Sequence, residues 1–88
     1  SGAVVLSVKD EDKEAAIALG RTLVANGKAV VATPGTAKTL RENGIECEEV
    51  NKIQQGSPNL LDKIMEGGVS LMINTPSLNE TSESEAAR

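Results

Sequence analysis

The sequence predicts an α/β protein whose core is a Rossmann-like, three-layer parallel sheet. Three observations support this. Short β-branched apolar runs recur at residues 4–8, 29–33 and 69–73. Stretches with helical apolar spacing lie between them. Asn-Gly or Gly-Gly pairs stand where those stretches end, as helix stops do. Strands alternating with amphipathic helices across short loops imply βαβ units, a parallel sheet and right-handed crossovers.

The elements follow in order. Residues 4–8 read as the first strand, and the charged cluster at residues 9–14 caps and opens a helix. That helix is expected over about residues 12–26, where Ala16, Ile17, Leu19, Leu23 and Val24 fall near helical spacing and Asn26-Gly27 stops it. Residues 29–33 form the second strand, broken by Pro34-Gly35. A second helix over about residues 36–43 closes at Asn43-Gly44. Residues 45–50 read as a third, shorter strand and residues 51–58 as a polar loop. Leu60, Leu61, Ile64 and Met65 give residues 59–66 helical spacing, Gly67-Gly68 ends them, and residues 69–73 form the fourth strand. After Asn74 the pattern fails. Residues 75–88 are rich in Ser, Glu and Asn, with Leu78 as the only large apolar residue. The expected division is a domain over residues 1–77 and a polar tail over 78–88.

Composition narrows the function classes. The chain of 88 residues has no Phe, Tyr or Trp, so its core must be built from Val, Leu, Ile, Ala and Met. Without aromatic platforms for bases, and with a net charge of −4, it is not expected to bind nucleic acid. A small anion held at one local site is compatible with the same charge. Cys47 is the single cysteine and no internal disulfide can form. The absence of a signal-like N-terminus or an apolar run of membrane-spanning length gives a cytoplasmic reading with no membrane partner. With no His and one Cys, no metal and no cofactor are expected.

In an open parallel sheet, ligands bind outside the carboxyl ends of the strands. Here those ends carry Lys9-Asp10, Thr33-Pro34-Gly35-Thr36, Asn51-Lys52 and Asn74-Thr75, whereas the opposite rim holds mainly Asn/Gly stops. Thr33-Pro34-Gly35-Thr36 leads from a strand straight into a helix. A helix N-terminus offers unpaired N–H groups and the positive end of its dipole, and Gly35 lets a phosphate approach the backbone. The same residues also suit an ordinary turn with Thr36 as N-cap. Lys13, in the first turn of its helix, faces the unfavourable end of the dipole unless an anion compensates; alternatively it pairs with Asp10, Asp12 or Glu14. Lys52 stands just past the third strand and can reach the same rim. Asn74 and Thr75 either bond a ligand or form a turn before Pro76. Cys47 reads as a small, semi-buried hydrophobe with no general base beside it in sequence.

With the elements placed, four segments resemble consecutive motifs of the methylglyoxal-synthase-like domain family: Leu6-Ser7-Val8-Lys9-Asp10-Glu11-Asp12-Lys13, Ala32-Thr33-Pro34-Gly35-Thr36-Ala37, Val50-Asn51-Lys52 and Ile73-Asn74-Thr75-Pro76. In order and spacing they are most similar to the version at the C-terminus of the large subunit of bacterial carbamoyl-phosphate synthase. Leu40-Arg41-Glu42-Asn43-Gly44-Ile45 and Pro58-Asn59-Leu60-Leu61-Asp62 add to the likeness, which covers roughly residues 3–76.

The resemblance implies a regulatory rather than a catalytic domain. It implies that UMP or IMP is the effector, and that the remaining large-subunit domains and the glutaminase small subunit are partners in making carbamoyl phosphate for arginine and pyrimidine biosynthesis. It places the family's phosphate-binding lysines on Lys13 and Lys52, its threonines on Thr33 and Thr36, and its strand-four asparagine on Asn74. Gly35 and Thr75 complete the expected site.

Two departures are visible. Pro76 stands where some relatives carry another phosphate-contacting threonine, and a proline donates no hydrogen bond. The family fold also continues through a further helix and a fifth strand, whereas this sequence ends at Arg88, so the expected sheet is truncated after the fourth strand. That strand would lie at an edge with Leu71, Met72 and Ile73 poorly covered. The expected consequences are marginal stability, a disordered tail from about Leu78, or self-association through the uncovered edge. Two other readings compete. A methylglyoxal-synthase-like enzyme needs a carboxylate base where this sequence has Ser57, and the His residues of that pocket are missing. An excised or engineered fragment would bind nothing.

Overall fold

Successive residues of a strand point to opposite faces of a sheet, and β1 (Ala3–Ser7) and β2 (Val30–Ala32) are apolar on both. A sheet with helices on both sides requires this pattern. The computed structural model describes residues 2–75. After β1 come a 3-10 turn (Asp10–Asp12), α1 (Lys13–Ala25), β2, α2 (Pro34–Glu42), β3 (Glu48–Glu49), a second 3-10 turn (Ile53–Gln55), α3 (Leu60–Met65) and β4 (Val69–Asn74). The four strands form one parallel sheet in the order β3-β2-β1-β4. The α/β class and layered parallel architecture expected from the sequence are therefore present.

Two small cores hold the layers. On one face Val4, Leu6, Val30 and Ala32 pack with Ala37, Leu40 and Ile45, joined by Ile17, Leu19 and Leu23 of α1. On the other, Val5 and Val31 pack with Val50 and with Leu60 of α3. Leu6 and Leu40 are fully buried. The second face is thinly covered, because α3 has six residues and leaves Leu61, Ile64 and Met65 exposed.

Both long helices end alike. Gly27 and Gly44 adopt φ near +75°, a region open to glycine at no steric cost. The N–H of Lys28 donates to the Leu23 carbonyl and that of Ile45 to the Leu40 carbonyl, each at 2.9 Å. These are Schellman ends, and at the second the Leu40–Ile45 pair supplies the hydrophobic contact that accompanies the motif.

Several boundaries differ from expectation for identifiable reasons. α2 begins at Pro34 rather than Thr36, because a proline at the first helical position has φ preset and lacks only an N–H that would be unpaired there. Thr33 is consequently the N-cap and Thr36 lies inside the helix. β3 shrinks from the expected residues 45–50 to Glu48–Glu49. Ile45 is drawn into the end of α2, and the Cys47 carbonyl accepts from Arg41 at 2.8 Å, so neither is available to a strand ladder. β1 stops at Ser7 because the backbone of Val8 bonds to side chains instead. The polar loop at residues 51–58 contains an unforeseen 3-10 turn.

Among the described residues β4 pairs with β1 alone and lies at an edge. Leu71 and Met72 are exposed there. Ile73, expected to be poorly covered, instead packs against the first core. The expected polar tail over residues 78–88 lies outside the described residues. No described helix is long and apolar enough to cross a membrane.

The α1–α2 contact depends on Gly20, where an added Cβ would stand 3.2 Å from Leu40 Cδ2 and 3.4 Å from Ile45 Cγ2. Gly20→Val is expected to cost about 1–3 kcal/mol by overpacking, and Leu40→Ala about 2–5 kcal/mol by leaving a cavity. Urea unfolding followed by far-UV circular dichroism measures both.

Candidate functional site

The site is organised around the backbone of Val8, the first residue past β1. Its N–H donates to Thr36 Oγ1 at 3.1 Å, and its carbonyl accepts from the Thr36 hydroxyl at 3.4 Å and from Lys13 Nζ at 2.7 Å. One peptide segment thus ties together the first turns of α1 and α2. Thr36 is buried, and Lys13 has 17% of its side chain exposed. Held this way, the Lys13 ammonium lies across the N-terminus of α2: a Cβ built on Gly35 would stand 3.9 Å from both Lys13 Cε and Nζ. Gly35 itself is exposed to solvent. Lys13 also pairs with Asp10 Oδ1 at 3.2 Å.

Beneath this turn, the buried Thr33 hydroxyl donates to Ser7 Oγ at 2.9 Å. The bond joins the ends of β1 and β2. It also diverts Thr33 from capping, so the N-cap offers its side chain to neither Gly35 nor Thr36 N–H. On the far side of β1, the Thr75 N–H donates to the Ser7 carbonyl at 2.8 Å and Thr75 Oγ1 accepts from the Lys9 N–H at 2.9 Å.

The fold therefore brings Lys13, Thr33, Gly35 and Thr36 into one cluster and attaches Thr75 through the end of β1. Asn74 pairs in register with Ser7 and is exposed beside it. Lys52 stands past β3 as N-cap of the second 3-10 turn, its N–H donating to Gln55 Oε1 at 2.7 Å. Strand order arranges these groups along one rim as Lys52, then the α2 turn, then Lys13, then Asn74-Thr75.

Reading by residue type missed Ser7 and the Val8 backbone. A lone Ser inside an apolar strand run is the available signal for the first, while a backbone carbonyl leaves none. The capping box of Asn59 and Asp62 was also missed, although the Asn-x-x-Asp spacing carries it. Asn59 Oδ1 accepts from the Asp62 N–H at 3.2 Å and the Asn59 N–H donates to Asp62 Oδ2 at 2.9 Å. At the opposite rim, an open depression of about 600 Å³ is lined by Val24, Lys28, Cys47 and Lys63 among others, and contains none of the residues above.

Residues 15–88 match the model of the MGS-like domain family. The chain belongs to that family. This MGS-like domain is 51% identical over 75 residues to the carbamoyl phosphate synthase large chain, C-terminal section, of Methanopyrus kandleri, a match covering 85% of the domain and 14% of that relative. It is 45% identical over 80 residues to the carbamoyl phosphate synthase large chain of Methanothrix thermoacetophila, covering 91% of the domain and 7% of the relative. Against the same chain of Acidobacterium capsulatum it is 42% identical over 87 residues, or 99% of the domain and 8% of the relative. The domain thus spans a small fraction of the length of these relatives.

Cys47 of the MGS-like domain is half-buried against the first core, as expected for a small hydrophobe. Burial pushes its thiol pKa up, a shift that the nearby Arg41 guanidinium partly offsets. Because the folded pKa exceeds the unfolded one, the associated stability is present below the ordinary thiol pKa and is lost as pH rises through the folded value. Alkylation by iodoacetamide is expected to be slow at neutral pH and to accelerate at a higher pH than in the urea-unfolded chain. At the centre of the site, Thr36→Val leaves the Val8 N–H without its partner. The expected cost is about 1–3 kcal/mol, with faster Val8 amide hydrogen exchange, while Thr36→Ser retains both.

Proposed function

We propose that this MGS-like domain binds the phosphate of a nucleoside monophosphate, UMP or IMP, and serves as the effector-binding part of a carbamoyl phosphate synthase large chain. The observation that carries the reading is the Lys13 ammonium, anchored at 2.7 Å on the Val8 carbonyl and lying over Gly35 at the N-terminus of α2. A cation, a helix N-terminus and a glycine without a Cβ converge there, and that combination suits a phosphate. Thr36, Thr75, Asn74 and Lys52 are the further contacts we assign to it, with Thr33 holding the turn from below.

A regulatory role fits the polar groups better than turnover. Proton abstraction requires a base positioned against its substrate. The buried polar side chains among the described residues are Ser7, Thr33, Thr36 and Asn59, none of them a carboxylate, and the carboxylate beside Lys13, Asp10, is exposed and paired with that lysine, which makes it a poor base. In this reading the effector binds two states of the parent enzyme with different affinity, and that difference sets the strength of control over carbamoyl phosphate synthesis for arginine and pyrimidines. Its partners are the rest of the large chain and the glutaminase subunit, in the cytoplasm.

Amide NMR of the labelled 88-residue chain, titrated separately with UMP, IMP and inorganic phosphate, tests the proposal. Saturable shifts at Gly35, Thr36 and Lys52, stronger for a nucleotide than for phosphate, are expected. Lys13→Gln should weaken binding by about 10- to 100-fold, the worth of a charge-assisted hydrogen bond. A dispersed spectrum unmoved by all three ligands would overturn the assignment.

A further inference from the structure

The cation at the centre of the site has a second partner. Lys13 Nζ carries three protons. The Val8 carbonyl accepts one at 2.7 Å, and Asp10 Oδ1 lies within 3.2 Å as another acceptor. The two acceptors differ in kind. Val8 is locked by Thr36, which bonds both its N–H and its carbonyl, so Lys13 is positioned whether or not Asp10 is present. Asp10 sits on the 3-10 turn before α1 with 97% of its side chain exposed, and among the described residues Lys13 is its one side-chain partner. A contact this exposed is weak and readily exchanged. Glu11 and Asp12 on the same turn add negative charge beside it.

We propose that Asp10 is a built-in competitor for Lys13: its carboxylate holds the ammonium that a ligand's phosphate must claim, and so sets how tightly the site binds phosphates. The proposal rests on the phosphate-binding reading above. A phosphate reaching Lys13 over Gly35 either displaces Asp10 or sits within a few ångström of a like charge, and affinity falls either way. The turn would thus keep the domain responsive to changes in effector concentration instead of saturating at low levels.

Asp10→Asn is the direct test, since the amide keeps the shape and removes the charge. Isothermal titration of the wild-type chain, Asp10→Asn and Asp10→Glu with UMP and with inorganic phosphate is expected to show about two- to fivefold tighter binding by Asp10→Asn for both ligands. Asp10→Glu should stay near wild type. With no ligand added, the lysine-ammonium NMR signal of Lys13 should shift in Asp10→Asn, reporting loss of the ion pair. Unchanged or weaker binding by Asp10→Asn, with UMP still bound by the wild type, overturns the competitor role and leaves the effector reading standing. Absence of saturable binding in all three proteins overturns the effector reading and the competitor role with it.

Discussion

The carbonyl and N–H of Val8 are the constraint on which the rest of the site depends. A strand that runs on by one more residue would spend these groups on a ladder. Here β1 stops at Ser7, and the next backbone unit is bonded by side chains from two different helices. Thr36 satisfies both of its groups from α2, and Lys13 adds a charged donor from α1. Because a buried or half-buried backbone group left unpaired is costly, the three residues fix one another. The direction of the Lys13 side chain follows from this arrangement, and so does the placing of its charge across the start of α2.

The surrounding fold supplies this geometry with little material. With no aromatic side chain available, both cores are made of small aliphatic residues, and interdigitation must replace bulk. Gly20 lets α1 and α2 approach closely enough for Leu40 and Ile45 to fill the space between them. The other face is covered less well. A six-residue α3 contributes Leu60 to the core and leaves three large apolar neighbours in solvent. At the edge of the sheet that the described residues form, β4 is uncharged and exposes Leu71 and Met72, a combination that native edges usually guard against.

An open depression of about 600 Å³ lies at the amino ends of the strands, where Lys63 donates to both oxygens of Glu48 at 3.0 Å and its charge is already matched. The carboxyl ends hold an ammonium and the first-turn N–H groups of a helix whose N-cap side chain is engaged elsewhere. In the proposed reading, these groups receive the phosphate.

Much of this was legible in the residues alone. Apolar periodicity and the Asn-Gly stops determine the element order, because helices and strands impose different periods and Schellman ends demand a residue that tolerates positive φ. The rule that parallel sheets bind ligands at their carboxyl ends then singles out Lys13, Gly35, Thr36 and Thr75 by position. What the sequence could not decide is who bonds to whom. That Thr33 turns inward to Ser7 while Thr36 closes on Val8, that β3 contracts because Arg41 and the end of α2 claim its neighbours, and that Asp10 shares the ammonium of Lys13 are contacts across up to 28 residues of chain. Local propensity has no term for such partners. They exist only once the parallel register of β1 and β2 has brought the ends of those strands side by side.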